Sequence, residues 1–342
     1  MKLVDAVYVT EHGTKVGVEK GSLTIKAPER DRLRIPFETI EQIVICCRAQ
    51  VSDEALARCA RRGIRIAALT KNGRLKYAVG ARETGNVLLR VAQVRCFDNA
   101  QGSLEIARPI VGAKIVNSRA AVLRWSWDAK LESQPFLASI ADGLAGRLDT
   151  AAKATDLDSL RGTEGDSARL YFKALGHVLN GGAHEFSFDS RSRRPPRTPT
   201  NALLSFGYGL LVNEMTGALD AAGLDHQIGF LHRLRPGRPS LALDMVEELR
   251  SPFVDRFVVG AIRRQQIRLT DLEELPGGAW QLTPDGRRSY FQLWEEFRSH
   301  QEEHAFLGRT IDRWAIPTVQ ALLLARHLRG DIDAYPPWVR TP

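Results

Sequence analysis

The chain reads as an α+β protein, with a small, mainly β N-terminal domain followed by a larger all-α domain. Three observations predict this. Between residues 4 and 50, short β-branched runs alternate with turn signals. From Ser103 onward the apolar residues recur at helical intervals and strand patterns almost disappear. A chain of 342 residues, 44% of them hydrophobic, has enough apolar surface for two folded domains. We place the β domain, suited to dimerisation or to gripping a partner, at 1–84, a connection at 85–102 and the helical domain at 103–342.

In the first domain the strands read VDAVYVT, KVGVE, SLTIKA, LRIPF and EQIVICC, separated by turns such as Glu11-His12-Gly13 and Lys20-Gly21. Antiparallel hairpins are the natural pairing for runs so close in sequence. Ser52 fits a helix N-cap, with Asp53 and Glu54 in the first turn complementing the helix dipole, and the helix ends at Gly63. A buried-looking strand, IRIAAL, follows; Asn72-Gly73 is a two-residue hairpin signal leading to LKYAVG. His12, beside Gly13 in a turn, reads as a solvated loop residue. The domain offers little chemistry.

GNVLLRVAQVRCF, from Gly85 to Phe97, reads as the connection, with Arg90, Gln93 and Arg95 forming a solvated face. SLEIARPIVGAKIVNSRAAVLRW and residues 133–159 then read as helices, with Pro109 a point of kinking in the first. In LRGTEGDSARLYFKALGHVLN, either Thr163 or Ser167 caps a helix and puts Glu164 in its first turn. On local pattern alone Glu164 is therefore a partner of the helix dipole rather than a metal ligand. His177 and His184 read as incidental. Arg191, Arg193, Arg194 and Arg197 cluster among prolines and serines before a helix that resumes near Asn201. Such a run is solvated surface or, beside a cleft, a means of holding phosphates; Tyr208 further along reads equally as core. The last hundred residues read as mostly helical. His300 and His304 stand four apart, but Gln301 occupies the position where a zinc-protease helix needs glutamate, so a polar helix face is the reading. The tail DIDAYPPWVRTP is too rich in proline for helix.

Lys and Arg outnumber Asp and Glu by 48 to 40, a net charge of +8 that suits a polyanionic partner. Cys46, Cys47, Cys59 and Cys96 lack C-x-x-C spacing, which argues against a cysteine zinc site and for reduced core thiols. MKLVDAVYVTEHG is not a signal sequence and no apolar run is long enough to span a membrane, so the expected location is cytoplasmic.

The densest chemistry lies in GFLHRLRPGRPSLALDMVEELRSPFVD, from Gly229 to Asp255. Helix restarts after Pro239-Ser240, so Asp244 shares a face with Glu247 or with Glu248, while the two glutamates point apart. His232 precedes this helix by a loop short enough to fold back over it. A histidine with two carboxylates leaves open positions on a divalent cation, and the hard oxygen ligands suit Mg2+ or Mn2+ better than structural zinc. Arg233, Arg235 and Arg238 are placed to neutralise a DNA backbone. The competing reading is a solvated acidic helix face.

RGTEGDSARLYF, then RSRRPPRTPTNALLSFGYGLL, then GFLHRLRPGRPSLALDMVEELRSPFVDR, in this order and at these separations, resemble the CRISPR adaptation integrase family, Cas1; GNVLLRVAQ resembles it too, and the likeness spans nearly the whole chain. The combination resembles subtype I-C most. The resemblance implies that Glu164, His232 and Glu247 hold the metal, with Asp244 supporting the site and DNA binding, which turns Glu164 from a dipole partner into a ligand. Thr198 stands where many relatives carry aspartate. The resemblance further implies a homodimer that joins Cas2 in a heterohexameric complex and inserts double-stranded prespacer DNA at the CRISPR repeat by metal-assisted transesterification. A DNA-binding scaffold without chemistry of its own and a general branched-DNA repair nuclease are the alternatives.

Overall fold

The computed structural model describes residues 4–28, 30–70, 73, 75–80, 87–181, 185–192 and 194–340. Eight strands and one helix make the N-terminal region: β1 (Val4–Val9), β2 (Thr14–Glu19), β3 (Ser22–Lys26), β4 (Leu33–Ile35), β5 (Ile40–Ile45), β6 (Ala49–Val51), α1 (Asp53–Arg61), β7 (Arg65–Leu69) and β8 (Leu75–Val79). They form two four-stranded sheets, ordered β1-β5-β7-β8 and β4-β3-β2-β6. The expected all-antiparallel pairing is wrong in part: β1–β5, β5–β7 and β2–β6 run parallel, while β2–β3, β3–β4 and β7–β8 are hairpins. The physical reason lies in β5. Ile43 and Ile45 face the small core with Val7, Leu23, Phe37 and Ile66, while Val44 and, just past the strand, Cys46 face the helical core. A strand buried on both sides carries a continuous apolar run rather than an alternating one, the mark of a parallel sheet. Ser52 caps α1 as expected, its Oγ accepting from the Ala55 N–H at 3.2 Å.

The helical region begins earlier than the sequence suggests. Residues 87–98 of the supposed connection are themselves a helix, α2 (Val87–Asp98), followed by α3 (Ala100–Asp128), which runs through Pro109. Next come α4 (Gln134–Ala152), α5 (Leu157–Asn180) and α6 (Pro199–Ala222). α5 starts at the Asp156 cap, whose carboxylate accepts from the Asp158 and Ser159 N–H groups, not at Thr163 or Ser167. Glu164 consequently sits two turns inside the helix, where the dipole argument no longer applies. α6 starts as expected at its Thr198 cap.

The last third is less helical than expected. α7 (Ser240–Met245) gives way to a tight turn at Glu247–Leu249, a wide π turn at Arg250–Asp255 and then α8 (Arg256–Arg263). Two hairpins, β9 (Leu272–Leu275) with β10 (Ala279–Leu282) and β11 (Gln301–His304) with β12 (Arg309–Asp312), flank α9 (Pro284–Arg298). α10 (Ile316–Leu328) precedes the irregular tail. The His300/His304 helix face is thus overturned: His304 is a buried strand residue whose ring meets Gln320 Oε1 at 2.9 Å, and His300 is exposed. The β-rich and helical regions pack on each other through Tyr8 against Phe291, ring centroids 4.5 Å apart, and Arg65 Nη1, which donates to Asn213 Oδ1 at 2.8 Å. Asn72 and His184 lie outside the described residues. His12 and His177 are exposed, and the four cysteines are free thiols, Cys46 and Cys59 buried. Among the described residues no helix is long and apolar enough to cross a membrane.

Candidate active site

Asp244 organises the site. Its carboxylate is fully buried and accepts four hydrogen bonds: from the N–H of Phe230 at 2.6 Å, of Leu231 at 2.9 Å and of His232 at 2.9 Å, and from His232 Nδ1 at 2.6 Å. With its proton on Nδ1, the ring presents the Nε2 lone pair on its other side, the state in which an imidazole serves as a metal ligand. Asp244 therefore positions His232, and, fully buried, it offers no oxygen for direct contact with DNA. Gly229 permits this wrap. A Cβ there would come within 2.6 Å of Asp244 Oδ2 and 2.7 Å of the Ser240 carbonyl carbon, so only glycine lets the loop lie so close to α7.

Glu247 and Glu248 part company, as the helical spacing requires. Glu247, 3% exposed, turns toward α3 and α5. There Lys114 of α3 bridges two carboxylates, with its Nζ 2.6 Å from Glu247 Oε2 and also paired with Glu164 Oε1. Arg250 binds the other oxygen of Glu247 at 2.9 Å and stacks on Tyr208, 5.1 Å from its ring centroid. Burial pushes the Glu247 carboxyl up, but the charges of Arg250, Lys114 and His232 outweigh it and hold the group below the ordinary carboxylate range. Glu248 instead points to the tail. It accepts from Gln320 Nε2 at 2.9 Å, Tyr335 OH at 2.8 Å and the Trp338 N–H at 3.2 Å, and burial pushes its carboxyl up to about 8. Asn117, three residues beyond Lys114 on α3, donates to the carbonyls of Glu248 and Trp338 at 2.8 and 3.0 Å.

Glu164, His232, Arg161, Arg233, Arg235 and Arg238 line one cleft with about 600 Å³ of open space. Arg233 leans on Asp158 at 3.1 Å, and Arg235 is exposed. The arginine-rich loop divides. Arg191 is committed inside the protein, donating to Asn201 Oδ1 at 2.7 Å and Ser205 Oγ at 2.9 Å while lying over Tyr208, which corrects its reading as a free phosphate contact. Arg194 and Arg197 are exposed, the latter donating to the Gly277 carbonyl, and Arg193 lies outside the described residues. Tyr208 joins Tyr171 in donating to Asp255, a carboxyl that burial pushes up to about 6.

Sequence reasoning missed three residues. Lys114 stands as a charge among the buried Val111, Ala113 and Ile115 of α3, in a helix that reads as core. Arg250 stands three residues after Glu247, where a helical ion pair is expected. Gln93, read as solvated, is fully buried: it donates to the carbonyls of Asp225 and Ile228 at 2.8 and 2.9 Å and accepts from the Asp225 N–H at 2.9 Å. It thereby pins the loop that leads into Gly229 and His232.

Among the described residues, no three of His, Cys, Asp and Glu stand close enough together to form a ready-made metal site. Glu247 Oε2 nevertheless lies buried with no hydrogen bond of good geometry, facing only the Lys114 charge. Two carboxylates around a cation, beside an oriented histidine, fit an oxygen-rich divalent centre.

Comparison with known proteins decides the family. The profile described as "CRISPR associated protein Cas1" matches residues 7–296. The chain belongs to the Cas1 family. It is 40% identical to the CRISPR-associated endonuclease Cas1 2 of Rhodospirillum rubrum, with 98% of both chains covered. It is 36% identical to the CRISPR-associated endonuclease Cas1 1 of Chlorobaculum tepidum, with 99% of both covered. Its fold is that of a Cas1 protein from Thermotoga maritima, with a TM-score of 0.80 at 22% identity over 95% of this chain and 97% of that one. A casposase bound to its integration product shares the fold with a TM-score of 0.83 at 22% identity, over 97% and 93%.

Proposed function

We propose that this Cas1-family protein is a metal-dependent DNA endonuclease and integrase that inserts prespacer DNA into a CRISPR array. The observation that carries this reading is the convergence of Glu164 of α5 and Glu247 of the turn after α7 on one positive charge beside an aspartate-oriented histidine and four arginines. Glu164, Glu247 and His232 Nε2 are the groups to hold Mg2+ or Mn2+. A cation bound there supplies the charge that polarises a phosphodiester and stabilises the departing oxygen. The chain's own residues do the rest. Asp244 fixes the His232 tautomer, and Arg250 holds the carboxylate of Glu247 in place. Arg161, Arg233, Arg235 and Arg238 draw phosphates into the cleft, with Arg194 and Arg197 as further backbone contacts.

A 3′-hydroxyl of the prespacer attacks phosphorus at the repeat boundary; one P–O bond forms and one breaks, so the exchange needs no ATP. A homodimer in complex with Cas2 is the assembly we propose; that a Cas6-RT-Cas1–Cas2 complex shares the fold supports the Cas2 partner. On the same motif combination we assign the chain to subtype I-C, which the effector genes beside it will check.

The deciding experiment is integration of a prespacer into a repeat plasmid with Cas2 and Mn2+. We expect Glu164→Ala and His232→Ala each to abolish product while circular dichroism and the melting temperature stay near wild type. Full activity in either purified variant overturns the assignment. A non-catalytic scaffold would bind DNA identically with and without metal and nick nothing, and a general repair nuclease would cut branched DNA without preferring the repeat.

A further inference from the structure

Lys114 has no part in the reading above except as a marker of where charge is needed, yet it is the best-placed residue in the site. It rises from the middle of α3 and is largely buried, its side chain 12% exposed. Its ammonium meets Glu164 of α5 and Glu247 of the turn after α7 at once. A lysine buried between two carboxylates repays its desolvation through them, and they in turn need it: removing one partner of such a group leaves an uncompensated charge. The point between the carboxylates is also where a divalent cation must sit if both bind it. One site cannot hold both cations.

From this we infer that Lys114 is the built-in counter-ion of the site, a cation that a divalent metal must displace to bind between Glu164 and Glu247. The inference rests on the metal-site reading proposed above. The structure also offers the ammonium somewhere to go. Lys114 also borders a small hollow where the oxygens of Ser118, Ser167, Tyr171, Tyr208 and Asp255 can receive it, although the Arg250 guanidinium lines the same hollow. The lysine side chain, a compact charge on a flexible stem, suits such an exchange in a way that a planar, forked guanidinium does not. The two carboxylates are thereby kept together and neutralised before metal arrives. Metal affinity is set by the difference between two cations rather than by the ligands alone. Lys114 is a positioning residue in this scheme and touches no reacting atom.

The test measures Mn2+ binding to the full chain by calorimetry, with no DNA present. Lys114→Met removes the competitor while keeping the length of the stem. We expect it to bind Mn2+ about tenfold more tightly than wild type, since a competing state occupied nine-tenths of the time weakens apparent affinity by that factor. Its metal-free melting temperature should fall and its gain on adding Mn2+ should exceed that of wild type. Lys114→Arg, which keeps the charge, should bind no more tightly than wild type. Equal or weaker Mn2+ binding by Lys114→Met overturns the inference.

A second measurement needs no destabilised variant. In wild type with 13C-labelled lysines, the Lys114 ε-carbon resonance, assigned by its loss in Lys114→Arg, should shift on saturation with Mg2+; an unmoved resonance at saturation overturns the inference. If wild type itself binds neither metal, or if Glu164→Ala binds as wild type does, the metal-site reading fails instead.

Discussion

Asp255 shows what burial does to a single carboxyl here. It is enclosed, held by the hydroxyls of Tyr171 and Tyr208, and burial lifts it from an ordinary value of 3.8 to about 6 even though these hydrogen bonds and the charges of Arg191 and Arg250 pull the other way. A group whose folded value is raised contributes stability that is fully present below about pH 4 and is lost as pH rises through 6. Replacing it with the neutral amide should remove that dependence. The melting temperature of wild type relative to Asp255→Asn should therefore fall between pH 4 and pH 7 and level off above; a flat difference across that range contradicts the account. At this scale the sequence was partly transparent. Family resemblance singled out Glu164, His232, Asp244 and Glu247, and the structure pairs Glu164 and Glu247 with one lysine and His232 with Asp244. Lys114 lies in a helix that reads as ordinary core, and its partners come from positions 50 and 133 residues away, so no local pattern could pair them. Arg191 misled because a loop arginine looks alike whether it faces water or a buried asparagine.

Among the elements, α2 was misread most. Its residues Arg90, Gln93 and Arg95 look like a polar connection, but Gln93 is the fastening between this helix and the loop before His232. Gln93→Leu would keep the bulk and leave two half-buried carbonyls and an N–H without their partner. At roughly 1–3 kcal/mol for a buried polar group left unpaired, we expect a loss of about 3 kcal/mol in unfolding free energy by urea titration. We also expect weaker metal binding, because the histidine loop loses its anchor; unchanged metal binding would confine Gln93 to a structural role. The β strands were legible as strands because β-branched runs and turn residues are local signals. Their pairing was not, because the direction of β5 depends on the helical core packed against its far face. The β11–β12 hairpin escaped notice for a related reason: its Gln-Glu-Glu-His run is polar, and it is held by Arg256 and Arg313, which reach Glu302 at 2.7 Å.

For the whole molecule, the net charge of +8 and the arginine-lined cleft point the same way. Binding to duplex DNA should weaken linearly in log–log form as salt rises, with a slope of about 0.9 per phosphate neutralised. Replacing Arg233 and Arg235 with glutamine should reduce that slope by about two without changing sequence preference, as fluorescence anisotropy across a salt series would show. The order of β-rich then helical regions was legible from composition alone. How closely they join was not: Gly73 lies against Gly209, where a Cβ on the latter would meet the Gly73 carbonyl oxygen at 2.6 Å, and close backbone approach leaves no trace in hydropathy.

The buckle formed by Tyr335, Trp338, Asn117 and Glu248 has a consequence for synthesis of the chain. The tail residues follow every other contributor to the site in chain order, and they grip the residue beside Glu247. On a ribosome, α3, α5 and the His232 loop emerge and can pack well before that grip is available. A nascent chain would thus carry the proposed metal ligands before the turn that bears Glu247 is gripped by the tail, and that turn would be the last part of the site to be fixed.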